Sequence, residues 1–215
     1  MENYIITIAR GFGSGGKEIG TKLAQRLHIP CYEDQILKMA SDFSGINESL
    51  FHERNEKLKH SLYVLSYLRK VPFTTVASPN TKEFVSDANL FNIQSEIIRQ
   101  LADSQSCIII GKCADYVLRH CANVISIYIE APRVDCVESI VNKLGVTEAE
   151  AHKLIEQTDK YRADYYKYYT QGGYWTNPVN YDMTLNSARV GRDKCVDVVI
   201  DYMNIKWERR GLICT

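Results

Sequence analysis

The sequence predicts an α/β domain built on a parallel sheet with helices on both faces. Three observations carry that prediction. Continuous apolar runs at Tyr4 to Ala9, Cys107 to Gly111 and Asn123 to Ile129 have the character of strands buried on both sides. Each run is followed by a stretch with helical periodicity, the alternation that a parallel sheet requires. The first run opens into a glycine-dense turn, Gly11-Phe12-Gly13-Ser14-Gly15-Gly16, immediately before Lys17.

The elements follow in order. Tyr4 to Ala9 is the first strand, and Lys17 to Leu27 a helix with Ile19, Leu23 and Leu27 on one face. His28 to Tyr32 reads as a short second strand, because Pro30 favours an extended predecessor. Residues 35 to about 70 read as helices, with a dense charged stretch from His52 to His60. Val71 to Asp87 is rich in Pro, Ser, Thr and Asn and reads as a long loop. Leu90 to Ala102 is helical with Ile93, Ile97, Ile98 and Leu101 toward the core, which puts Gln94 on another face. Helices are expected at Ala114 to Arg119 and Arg133 to Leu144. Thr147 and Glu150 form a capping box that opens a helix running toward Tyr166. Tyr181 to Asn186 is the last strand and Arg192 to Tyr202 the last helix.

Bulk composition narrows the function. The 215 residues suffice for one domain with a lid or a small insertion. Lys+Arg and Asp+Glu both total 26, so the chain is not built for a nucleic-acid polymer, and phosphate recognition must come from local clusters. No apolar run reaches the length of a membrane span, and no signal-peptide pattern opens the chain. The seven cysteines include no C-x-x-C pair and read as reduced core residues of a cytoplasmic protein.

The glycine turn has the chemistry of a phosphate cradle. Glycines let the backbone turn several N–H groups inward, the following helix adds its positive N-terminal end, and a lysine reaches the outer phosphates. Gly11-x4-Gly16-Lys17 fits the first seven positions of the P-loop pattern, but Glu18 stands where a Ser or Thr would place a hydroxyl on Mg²⁺. The same glycines satisfy G-x-G-x-x-G, with Glu33 or Asp34 near the place of a ribose-binding acid. Lys17 favours the phosphate-transfer reading over the dinucleotide one.

Further constellations accompany the loop. Asp159-Lys160-Tyr161-Arg162-Ala163-Asp164-Tyr165-Tyr166 reads either as a solvated helix with a Lys160–Asp164 pair or as a lid delivering cations to phosphates, with Gly172 and Gly173 as a hinge. Gly111-Lys112-Cys113-Ala114-Asp115 ends the central strand, where such sheets face their ligands. No acid lies inside that strand, and Asp115 is the first available. Gln94 carries an amide able to read a nucleobase edge.

Taken together, these residues resemble the cytidylate kinase-like family, a branch of the P-loop nucleoside monophosphate kinases. The resemblance runs over nearly the whole chain, from Ile8 to Ile19 through Ile29 to Asp34, Gln94 to Ile98, Ile110 to Leu118, Asp159 to Tyr166, and Asn180 to Ser187. It implies a P-loop NTPase fold, three layers α/β/α with a five-stranded parallel sheet. The single domain 1–215 would comprise a core of 1–34 and 104–215, a helical substrate-binding insertion at about 35–103, and a lid at about 150–175. It implies an ATP-dependent small-molecule kinase that uses Mg²⁺ and transfers phosphoryl to a nucleoside monophosphate, CMP or dCMP foremost. A non-nucleotide metabolite kinase and a nucleotide-binding sensor with little turnover are the alternatives. Lys17, Arg162 and Lys160 would be catalytic. Gly11, Gly13, Ser14, Gly15, Gly16, Lys17 and Glu18 would form the phosphate site, and Asp34, Gln94, Lys112 and Asp115 the acceptor site. No side chain is assigned as a direct metal ligand, with Glu18 and Asp115 considered for the outer shell. Lys112 stands where the family carries arginine, and Glu18 and Cys113 also depart from the pattern of cytidylate kinases proper.

Overall fold

A computed structural model describes residues 3–51 and 87–208. The charged stretch at 52–60 and the expected loop over most of 71–87 lie outside the described residues, as does the middle of the helical insertion. The described elements are β1 (Ile5–Arg10), α1 (Gly16–Leu27), β2 (Cys31–Tyr32), α2 (Gln35–Ser44), α3 (Asp87–Ser104), β3 (Cys107–Ile110) and α4 (Ala114–Val117). They continue with β4 (Val124–Glu130), α5 (Arg133–Leu144), α6 (Glu148–Tyr169), β5 (Met183–Asn186), α7 (Ser187–Val190) and α8 (Arg192–Glu208).

The sheet has five strands in the order β2-β3-β1-β4-β5, and every pairing is parallel. Strand β1 is central, and its side chains alternate between two cores. Ile5 packs with Cys107 and Ile109 against α2 and α3. Ile6 and Ile8 pack with Ile108, Ile110, Ile125 and Ile127 against α1 and α8. The period of two in an all-apolar run therefore supplies both faces of a covered sheet.

Strand β2 is shorter than expected. His28 adopts a left-handed conformation at the end of α1, with its N–H bonded to the last helical carbonyls, and the Ile29 N–H still bonds Ala24 O at 3.1 Å. Residues 28–29 thus complete the helix terminus, and pairing begins only at Cys31.

The expected capping box opens α6: Glu150 N donates to Thr147 Oγ1 at 3.3 Å, and Thr147 N to Glu150 Oε2 at 2.9 Å. The first half of α6 packs on α5 through Ala151 and Ile155. Its second half builds an aromatic cluster in which Tyr165, Tyr166 and Tyr169 meet Phe91, Tyr128, Trp175 and Tyr181. Phe91 and Tyr169 stack with centroids 4.0 Å apart, the kind of contact worth about 1 kcal/mol beyond its buried area. The helix read as a lid is therefore anchored to α3 and the sheet by aromatic packing.

Helix α3 departs from the expected single core face. Gln94 is 3% exposed, and Asn89, Asn92 and Ser95 are also buried. Ile93 faces the aliphatic core and Phe91 the aromatic cluster, so the helix is enclosed on two sides. Among the described residues, no helix is long and apolar enough to cross a membrane, and the six described cysteines are free thiols.

Candidate active site

The loop between β1 and α1 lines a cleft of about 1120 Å³, which also takes in Glu33, Asp34, Arg162 and Arg192. Gly15 precedes the helix at φ 83, a left-handed conformation, and a Cβ there would collide with Arg192. Ser14 is buried, and its hydroxyl donates toward Gly11 O (2.9 Å) and Ile129 O (3.1 Å). Its own carbonyl accepts from Ser187 Oγ at 2.5 Å. The Ser14 hydroxyl thus fastens the loop to β4, and its backbone carbonyl fastens it to α7. The amides of Gly16 and Lys17 open α1, where first-turn N–H groups have no partner within the helix and favour anions.

Lys17 is exposed, and its Nζ lies 2.5 Å from Glu33 Oε2. Glu33 also receives Arg10 Nη2 on Oε1 at 2.7 Å. Burial pushes the Glu33 carboxyl up, but Lys17 and Arg10 together hold it below the usual range. The same contact raises Lys17. Glu33 is thus a carboxylate between two cations, Arg10 at the end of β1 and Lys17 in the first turn of α1.

Glu18 points elsewhere. Lys22 reaches its Oε1 at 2.9 Å and Arg192 its Oε2 at 2.5 Å, and Arg192 also donates to Ser139 Oγ at 2.8 Å. Lys22 first, then Arg192, hold the Glu18 carboxyl low against the opposing effect of burial. The residue that replaces the expected hydroxyl ties α1 to α8.

A second, smaller pocket of about 130 Å³, half-open to solvent, lies at the end of β3. Its wall includes Arg10, Lys112, Cys113, Asp115, Arg162, Tyr165, Tyr166 and Trp175. After β3 the chain takes three successive positive-φ residues, Gly111 (74), Lys112 (58) and Cys113 (54). Such conformations cost of order 1 kcal/mol or more per non-glycine residue and cluster at ligand sites. The turn sets Lys112 3.7 Å from Asp34 Oδ1. Burial lowers the Lys112 ammonium, with Asp34 opposing. Asp115 is buried, accepts from Tyr166 Oη at 2.9 Å, and is pushed by burial up to about 6. Gln94 does not line this cavity; its amide Nε2 lies 3.5 Å from Leu90 O, and its Oε1 has no partner among the described residues.

Helix α6 contacts the loop through residues 159 and 162. Phe12 N donates to Asp159 Oδ1 at 2.8 Å, and Arg162 Nη1 donates to Arg10 O at 2.9 Å. Burial first, then neighbouring Arg10, brings the Arg162 guanidinium down to about 10. Lys160 is exposed and lines neither cavity, and among the described residues no ion pair joins it to Asp164. The pair on this helix is Asp159–Arg162, at 3.6 Å. Arg10, Asp159 and Arg192 were not among the expected site residues, and Glu33 figured only in the dinucleotide alternative. Arg10 ends the first strand directly before the glycines, which is the one sequence signal for it. Arg192 had none, because fold alone brings it to the loop.

No curated relative matches the sequence. Among solved structures, an uncharacterized protein from Eubacterium ventriosum aligns at TM-score 0.68 and 24% identity, over 94% of this chain and 99% of that one. Shikimate kinase from Bacteroides thetaiotaomicron aligns at TM-score 0.51 and 13% identity, over 94% of this chain and 98% of that one. Both likenesses concern the fold, which is that of P-loop kinases. The model of the cytidylate kinase-like family matches residues 5–189; the chain therefore belongs to that family, and family and fold together support a phosphotransferase.

Proposed function

We propose that this protein transfers the γ-phosphoryl group of Mg-ATP to a nucleoside monophosphate, with CMP and dCMP as the foremost acceptors. The observation that carries the reading is that Arg10 and Arg162 line both the loop cleft and the smaller pocket. A donor in one and an acceptor in the other would meet between two guanidinium groups. Phosphoryl transfer needs little covalent help from the protein, so positioning and charge neutralisation there are sufficient chemistry.

The loop fits a triphosphate through the amides of residues 13–17, with Lys17 exchanging Glu33 for phosphate oxygens. The Mg²⁺ brought by ATP would neutralise charge on the bridging phosphates. Among the described residues no group of three His, Cys, Asp or Glu side chains stands ready to hold an ion, and Glu18 is engaged by two cations. The ion would be held by phosphates and water, a usual arrangement for Mg²⁺, with Glu33 and Asp34 as the carboxylates on that side of the cleft.

The acceptor side is small. A cavity of about 130 Å³ approximates the roughly 150 Å³ space that holds a single benzene ring. Aromatic walls suit a ring, and Asp115 offers an acceptor for an exocyclic amine. These features support a pyrimidine over a purine. In this reading about 35–103 is the substrate-binding insertion, of which no described residue of α2 or α3 lines the pocket, and about 150–175 is the lid, which supplies Tyr161, Arg162, Tyr165, Tyr166 and Trp175 to its wall. The reduced cysteines support a cytoplasmic setting.

The test is single-turnover phosphoryl transfer from ATP to CMP, dCMP, UMP, AMP and GMP. Transfer is expected to the pyrimidine acceptors. Arg162→Ala should cut the rate by roughly 10³-fold, in the range of arginines that stabilise transferring phosphoryl groups, while ATP affinity changes little. Absence of transfer to every monophosphate defeats the acceptor assignment.

A further inference from the structure

We infer that Arg10 is the clamp for the acceptor's phosphate monoester, and that Glu33 is the counter-ion this phosphate displaces. The inference rests on the phosphoryl-transfer reading above and adds to it a residue and an exchange. Three observations converge on Arg10. Its guanidinium lies against Gly111, and a Cβ at position 111 would collide with it. The turn after β3 is thus shaped to admit this side chain. Its Nη2 is held by Glu33 at 2.7 Å, and its backbone carbonyl accepts from Arg162 Nη1 at 2.9 Å, so both the guanidinium and the main chain of this residue are engaged. It faces the smaller pocket beside Lys112 and Arg162, whose lining holds three cations and the single carboxyl Asp115.

The chemistry of the three cations differs. Lys112 presents a point charge and is already engaged by Asp34. Arg162 is aimed at the loop through its bond to Arg10 O. Arg10 and Arg162 both bring a planar fork to this pocket, the geometry that binds two oxygens of one phosphate, but one edge of the Arg162 fork is held by Arg10 O and the reading above gives Arg162 to the transferring group. Glu33 now occupies one edge of the Arg10 fork and also neutralises Lys17. A carboxylate so placed stands in for phosphate charge until substrates arrive. Phosphate oxygens at Lys17 and at Arg10 would each release one of its two partners, so donor and acceptor each remove one hold on the same carboxylate.

The experiment is calorimetric titration of protein saturated with a non-hydrolysable Mg-ATP analogue, using CMP, cytidine and inorganic phosphate as separate probes. Wild type should bind CMP and phosphate, and cytidine at least tenfold more weakly than CMP. Arg10→Ala should weaken CMP and phosphate by about 10–100-fold, the loss expected for hydrogen bonds to a charged group, with analogue affinity held within about threefold. Arg10→Lys should recover part of the loss and guards against a folding artefact. Glu33→Gln separates direct contact from scaffolding: displacement predicts unchanged or tighter phosphate binding, because a competing carboxylate is gone. A loss in Glu33→Gln as large as in Arg10→Ala overturns the proposal, since Arg10 would then act only through Glu33. Equal weakening of CMP and cytidine in Arg10→Ala also overturns it, as does wild type that binds the analogue but neither CMP nor phosphate. Failure of wild type to bind the ATP analogue counts against the transfer reading, and phosphate titration of the free protein then decides the role of Arg10.

Discussion

Asp115 gives a prediction whose size follows from its burial. The carboxyl sits under α4 with Tyr166 Oη at 2.9 Å, and burial moves it from 3.8 to about 6 despite stabilising hydrogen bonds from Tyr166 and from backbone amides at the start of α4. Its folded pKa is therefore above its unfolded value. Between about pH 4 and pH 6 the native state binds the extra proton, so stability falls as pH rises through that window and levels off above it. At 1.36 kcal/mol per pKa unit, the rise from 3.8 to about 6 corresponds to about 3 kcal/mol of unfavourable charge at pH 7. Asp115→Asn keeps an acceptor for Tyr166 and removes the titration. Thermal unfolding of both proteins from pH 4 to pH 7 should show them similar at pH 4, and the variant more stable at pH 7 by up to about 3 kcal/mol, or roughly 6–12 °C. The titratable neighbours Tyr166, Tyr181 and Cys113 are all pushed up by burial and stay neutral throughout this range. A difference that is constant with pH, or wild type gaining on the variant as pH rises, refutes the reasoning.

The phosphate loop gives two further predictions. Lys17→Ala removes an exposed pair with Glu33, so unfolding free energy should change by less than about 1 kcal/mol. ATP affinity measured by calorimetry should nevertheless fall about 10–100-fold, and a folded variant with unchanged affinity would remove the lysine from the phosphate site. Glu18→Thr breaks the half-exposed link to Lys22 and Arg192, costs at most about 1 kcal/mol in a melt, and should preserve or raise Mg-ATP turnover. Loss of Mg²⁺-dependent ATP binding in Glu18→Thr would show that the carboxylate contacts the metal or its waters.

Much of the fold was legible because its signals are local. Isoleucine runs between helical stretches announce strands of a covered parallel sheet, and the glycine turn before Lys17 announces the loop at the end of β1. The capping box at Thr147 was readable residue by residue and is present with both of its bonds. Helix α3 misled because periodicity reports one apolar face. Asn89, Asn92 and Ser95 line its other buried face and Gln94 sits among the apolar residues, yet a hydrophobic pattern counts all four as solvent-facing. The lid segment misled by about one residue of helical rotation. Lys160 follows Asp159 by some 100°, and that rotation decides which side chain meets the loop and which meets water.

The position least like a standard phosphate loop shows why local pattern reaches its limit. A glutamate after the loop lysine, taken alone, adds negative charge where phosphates must bind. The fold supplies Arg192 from the start of α8 and Lys22 from the next turn of α1, both within 3 Å of that carboxylate. Lys22 is shared with Asp193 at 2.7 Å, so Lys22 and Arg192 balance Glu18 and Asp193 and leave this corner near neutral. Arg192 also lies against Gly15, where a Cβ would displace the arginine side chain and the left-handed φ of 83 itself favours glycine. The departure at Glu18 is therefore compensated by a partner that sequence distance conceals. The Glu18 carboxylate is thereby neutralised where it stands, although the hydroxyl of the P-loop pattern is gone.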